Sequence, residues 1–264
     1  MNILLFFPFP FTTAHSWVEQ LRHLDLNRTI VSNIGFIRGA VSRSDPAFTD
    51  DRLQYLLPPS GRDATQGILP SDSICRDTQQ AAGSVNPSLP PLQARPGEHI
   101  ALQYQEDGHV SLPEATPQKA NSGADDRLLS IHHVWNTDGT GGDRRGVLLA
   151  SRPFDDGQCY QINDESISKE RQRTYAKTPV DPQGADLWCQ NDLRLPKDIH
   201  NNYTIYWVSE WPTAPTDTLP QGRMEIYTSC MDIIILPGVE AGVVSYAKDQ
   251  DLNFAGIEGQ MLIG

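Results

Sequence analysis

Short apolar runs, broken at close intervals by 20 prolines and 20 glycines, leave this chain little room for long helices. Proline removes a backbone donor and glycine loosens the chain, so each punctuates an element rather than extending it. Strand-length segments remain between them, which favours an antiparallel β-sandwich. The strand candidates are residues 99–104, 127–131 running into His132-His133-Val134-Trp135, 146–150, 203–207 and 224–236. Residues 31–97 read as loop-rich, with Pro58-Pro59, the SDSIC stretch around Cys75 and a Pro/Ser-rich run before Pro96-Gly97. Connections this long must pack over the sheets or shape a binding face.

The first 14 residues, MNILLFFPFPFTTA, read as a secretory segment with small residues at Thr12 and Ala14, although a positive start is missing. They are too few to span a bilayer. Cleavage after Ala14 leaves His15 as the new N-terminus and 250 residues, enough for one large β-domain. The expected division is a signal peptide at 1–14, a single domain at 15–236 and a C-terminal extension at 237–264. With 33 acidic against 21 basic residues the formal charge is −12, so a nucleic-acid backbone meets net repulsion. Neutral glycans or small ligands suit such a surface better, and a monomer is the default.

Four cysteines, Cys75, Cys159, Cys189 and Cys230, point to two disulfides in an oxidising compartment, with three connectivities open. Their wide spacing is unlike a zinc finger. Asn27-Arg28-Thr29 and Asn202-Tyr203-Thr204 are glycosylation sequons, compatible with secretion.

A processed His15 carries an amine and an imidazole on one residue, a pair suited to a transition metal. His109 stands at the end of the 99–104 strand region, beside Gly108, which permits an unusual turn. Two imidazoles and the amine give three nitrogen donors that suit copper in both redox states. Glu225-Ile226-Tyr227-Thr228-Ser229-Cys230 reads as strand, and period two puts Glu225 and Tyr227 on one face with Cys230 on the other. Tyr227 is then a candidate axial group, and Glu225 a hydrogen-bonding or proton-delivering group.

These residues resemble the secreted fungal lytic polysaccharide monooxygenases, copper enzymes whose mature chain begins with histidine. The resemblance implies His15 and His109 as equatorial copper ligands, Tyr227 as axial residue and Glu225 beside it. It also implies the pairs Cys75–Cys230 and Cys159–Cys189. Over most of the chain the sequence resembles a fungal domain of unknown function related to those enzymes. That likeness rests on His15-Ser16-Trp17-Val18-Glu19-Gln20, Gly35-Phe36-Ile37-Arg38-Gly39, residues 104–110, residues 135–142 and Asp186-Leu187-Trp188-Cys189-Gln190-Asn191. Two departures stand out: Asp107-Gly108-His109-Val110 replaces the usual surroundings of the second histidine, and Glu225 replaces glutamine. A carboxylate there changes the local charge.

The architecture expected is therefore an all-β, immunoglobulin-like or fibronectin-like antiparallel sandwich with long loops. The function expected is a secreted, copper-dependent monooxygenase oxidising C–H bonds of a cell-wall polysaccharide, with an external electron donor. The alternatives are a non-catalytic histidine-brace copper protein and a metal-free secreted glycan-binding or structural β-domain. Asp138-Gly139-Thr140-Gly141-Gly142 lacks the Gly-Lys-Ser/Thr of a phosphate loop and reads as a hairpin turn. His132-His133 cannot readily serve one metal from a regular strand. Trp188 is placed near a disulfide, and Trp207 and Trp211 in the core or at a rim. No Gly-x-Ser-x-Gly elbow supports a serine hydrolase.

Overall fold

A computed structural model of the chain describes residues 16–24, 30–59, 61–62, 66–69, 71–81, 86–112, 131–136, 147–177, 184–213, 215 and 220–238. The signal segment, His15, the first sequon, residues 127–130, the 138–142 turn and the extension beyond Gly238 lie outside the described residues. Among those described, the strands in chain order are β1 (Val18–Leu24), β2 (Ile30–Gly35), β3 (Leu56–Leu57), β4 (Leu92–Ala94) and β5 (His99–Tyr104). They continue with β6 (Ile131–Asn136), β7 (Val147–Pro153), β8 (Cys189–Arg194), β9 (Asn202–Thr213) and β10 (Arg223–Ile235). One α-helix, α1 (Ser166–Thr174), lies between β7 and β8. No helix among the described residues is long and apolar enough to cross a membrane.

Two sheets form, as an immunoglobulin- or fibronectin-like sandwich requires. One runs β2-β1-β5-β8 and the other β3-β10-β9-β6-β7, with β4 joining β10 in parallel. Period two decides what lies between them. Ile205, Trp207 and Trp211 of β9 share parity with Tyr227, Met231 and Ile233 of β10 across an unbroken antiparallel register, and all six are buried in the core. Val18, Leu21, Ile100, Leu102 and Tyr104 meet them from the other sheet. Trp207 and Trp211 are therefore core residues, not a solvent platform. On the other face of β1, β5 and β8, Gln20 donates to Gln103 at 2.5 Å, Gln103 to Gln190 at 3.1 Å and Gln190 to Asp192 at 2.8 Å. Each buried amide thus has a cross-strand partner, which offsets its desolvation.

The loop-rich stretch finishes the free edge of β10. β3 pairs with Ile226 and Tyr227, and Tyr55 O accepts from Thr228 N at 3.1 Å. Gln79 Oε1 accepts from Cys230 N at 2.9 Å, Arg38 N donates to Cys230 O at 3.0 Å, and β4 completes residues 233–235. Cys75–Cys230 fastens this loop to the strand. Cys159–Cys189 ties the segment after β7 to the start of β8, and so one sheet to the other. Both pairs are those implied by the resemblance. Residues 31–97 thus hold three short edge strands within their loops.

Candidate functional site

β5 ends at Tyr104, and the chain turns sharply through Asp107 and Gly108, whose φ angles of 44° and 79° lie in the left-handed region. Glycine takes that conformation without cost, and aspartate tolerates it better than most residues. Glu106 holds the turn closed. Its carboxylate accepts from Val110 N at 2.9 Å, Ser111 N at 3.3 Å and Gln161 N at 2.8 Å, and from the Ser111 hydroxyl. Burial pushes the Glu106 pKa up, and these hydrogen bonds oppose the rise. His109 N donates back to Glu106 O at 2.8 Å, which fixes where the imidazole goes. Ser16 Oγ donates to Gln105 O at 2.6 Å, anchoring the start of the described chain beside the same turn.

The His109 ring is buried among aromatic side chains of β9, β10 and the loop after β7. Its centroid lies 4.1 Å from Trp211 at an interplanar angle of 77°, 5.3 Å from Phe154 and 5.8 Å from Tyr227. Phe154 and Trp211 are themselves edge-on at 5.4 Å. Such tilted contacts set ring edges against ring faces and make a stiff cluster. Tyr227 Oη donates to Glu225 Oε2 at 2.9 Å, as two same-face residues on one strand can. Burial, then the charge of Asp107, raises the Tyr227 pKa, with Arg223 opposing. The phenol stays protonated and acts as the donor. Glu225 is half-buried at the rim, and its neighbour Met224 is 47% exposed. His109, Tyr227 and Glu225 are therefore brought together, whereas His15 lies outside the described residues.

The copper expectation needs correction. Among the described residues, the one group of His, Cys, Asp and Glu side chains with metal-ligand spacing is Asp156, Cys159 and Cys189. Both of its sulfurs are bonded to each other in the disulfide, and a disulfide sulfur is not a thiolate ligand. Around His109 stand the rings of Trp211, Phe154 and Tyr227, and the Tyr227 hydroxyl is engaged with Glu225. The side chains described do not assemble a copper site. The copper-dependent monooxygenase and its oxidoreductase chemistry go with it.

Two polar centres had no separate signal in the sequence reading. Asp156 accepts from Gln158 N and Cys159 N at 2.9 Å and Gln190 N at 2.8 Å, stitching the loop after β7 to β8. Burial, then the neighbouring Asp155, raises its pKa to about 7 despite those bonds. Arg171 of α1 clamps Asp155 through two 2.7 Å bonds and donates to Cys159 O at 2.7 Å. In the second centre, Arg43 Nε donates to Glu19 at 2.8 Å, while its guanidinium lies over Phe48 at 5.0 Å, Trp17 at 5.7 Å and Trp188 at 6.0 Å. Trp188 thus packs in this cation–π group as well as preceding a disulfide cysteine. A pair of adjacent aspartates before a cysteine was the available clue to the first centre. Nothing local pointed to the second, which is assembled from distant segments.

Comparison with solved structures gives loose overlays. A chain titled CvAA9A is 14% identical, with 62% of this chain and 62% of that chain covered at a TM-score of 0.28. A chain titled "X-Ray photoreduction of Polysaccharide monooxygenase CBM33" is 8% identical, with 60% of this chain and 71% of that one covered at a TM-score of 0.25. This chain thus spans about 62% of the length of the first. Overlays this loose carry no argument about chemistry. No curated protein matches the sequence. A family model does match, over residues 12–258, and the chain belongs to that family, described as domain of unknown function DUF7492.

Proposed function

We propose that this chain is a secreted, monomeric, metal-free β-sandwich that holds a neutral cell-wall polysaccharide without cleaving it, built as one domain over residues 15–236. The observation that carries this reading is the corner where β9 ends and β10 begins. There the Glu225 carboxylate, oriented by Tyr227, stands at the rim of a rigid floor of His109, Phe154 and Trp211. A fixed, half-buried carboxylate accepts from sugar hydroxyls. A stiff floor loses little entropy on binding. Secretion is supported by the two disulfides, which take up all four cysteines.

Chelator-treated protein should co-sediment with at least one of cellulose, xylan or chitin particles and release no sugar. Replacing Glu225 with alanine should weaken retention about tenfold, the effect of losing one hydrogen bond to a charged group. Retention on none of the three, or retention that requires added metal, would sink the proposal.

A further inference from the structure

We infer that Asn202 carries an N-linked glycan, attached before the corner of the sandwich around it closes. Asn202 is exposed at the start of β9, directly after Asn201, whose φ of 64° turns the chain into the strand. Among the described residues, pairing with β6 runs from Glu210 to Ile205, while Asn202, Tyr203 and Thr204 pair with Ile234, Ile233 and Asp232 of β10. The amide of Asn202 is therefore accessible on a strand end with one paired side among the described residues.

Thr204, the hydroxyl residue of the sequon, has a different fate. Its Oγ1 donates to Asp232 Oδ1 at 2.7 Å and accepts from Arg38 Nη2 at 2.8 Å, inside a buried Arg38–Asp232 ion pair. A transferase that must read this hydroxyl can do so only while Arg38 and Asp232 are still apart. In the transfer, Asn202 Nδ2 bonds to the anomeric carbon of a lipid-pyrophosphate-linked oligosaccharide. The anomeric C–O bond breaks, the lipid pyrophosphate leaves with the electron pair, and the amide loses one proton. The four disulfide-bonded cysteines fit passage through the compartment where such donors act.

The position has two physical consequences. Nine residues of extended strand separate Asn202 from Trp211, roughly 30 Å, so a glycan here leaves the Glu225 corner open. A bulky hydrated group at this exposed strand start also keeps a second copy from approaching it closely.

The inference rests on the secretory part of the proposed function, and one sample tests both. The full chain is secreted from a eukaryotic host, and its tryptic peptide 198–223 is weighed before and after peptide N-glycosidase, alongside the disulfide-linked peptides. The expected result is a glycan mass that the enzyme removes, leaving aspartate at 202. Asn202→Gln should abolish it, and Thr204→Ser, which keeps the hydroxyl, should retain it. An unmodified Asn202 in secreted protein with both disulfides formed overturns the glycan and leaves secretion standing. Retained chain with reduced cysteines and an unmodified Asn202 overturns both.

Discussion

Asp156 shows how a single carboxylate sets a pH dependence. Its folded-state pKa is raised to about 7 from the ordinary 3.8, because burial and Asp155 disfavour the charged form more than three backbone donors favour it. The folded protein therefore binds the proton more tightly than the unfolded chain does. That contribution to stability is complete below pH 4 and is lost as pH rises through about 7, by at most about 1.4 kcal/mol per pH unit. Burial raises the pKa values of Glu19, Glu106 and Asp186 in the same sense. The melting temperature should therefore be higher at pH 5 than at pH 8, by about 2–4 °C for each kcal/mol recovered. Asp156→Asn should flatten that profile, and an unchanged slope in the variant would show that the dependence lies elsewhere. Residue identity alone reached His109, Glu225 and Tyr227, because a turn glycine and a period-two spacing are local signals. It did not reach Glu106, although Glu106 lies in the same short segment, because its partner Gln161 is 55 positions away.

At the scale of elements, the apolar segments declared themselves and the polar ones did not. β5 occupies residues 99–104 as expected, and β10 departs from the expected span by one residue at each end. β8, reading CQNDLR, was missed because its burial depends on glutamines of other strands accepting and donating across the sheet. α1 was missed as well, since its sequence SISKERQRT has one large apolar residue and the helix is held by Arg171 and Ser168 contacts. Edge strands β3 and β4 are two and three residues long, too short for any periodicity to emerge. At the end of β2, a Cβ on Gly35 would stand 2.3 Å from the backbone nitrogen of Leu92, at the approach of β4. Gly35→Ala should therefore cost about 1–3 kcal/mol in chemical denaturation, with backbone rather than a flexible side chain in the way. Replacing Cys159 and Cys189 together with serine should cost about 2–5 kcal/mol, since their bond joins the two sheets. A loss well under 1 kcal/mol would mean that Asp156 and Arg171 hold the junction without it.

For the whole molecule, the two-sheet architecture followed from punctuation and alternation, but the edge of β10 did not. That edge is finished by Leu56–Leu57, the Gln79 side chain, Arg38 and Leu92–Ala94, pieces spread along the first third of the chain. During synthesis those pieces are made long before Arg223–Ile235 exists to receive them, and Cys75 waits 155 residues for Cys230. Contacts so distant in sequence exact a large loop-closure entropy before they return any energy, so folding is slow and finishes late. A ribosome-bound fragment ending before residue 223 lacks the strand that organises the front of the molecule. Cys75 meanwhile stays a reactive thiol, open to pairing with the wrong cysteine, until the last strand emerges.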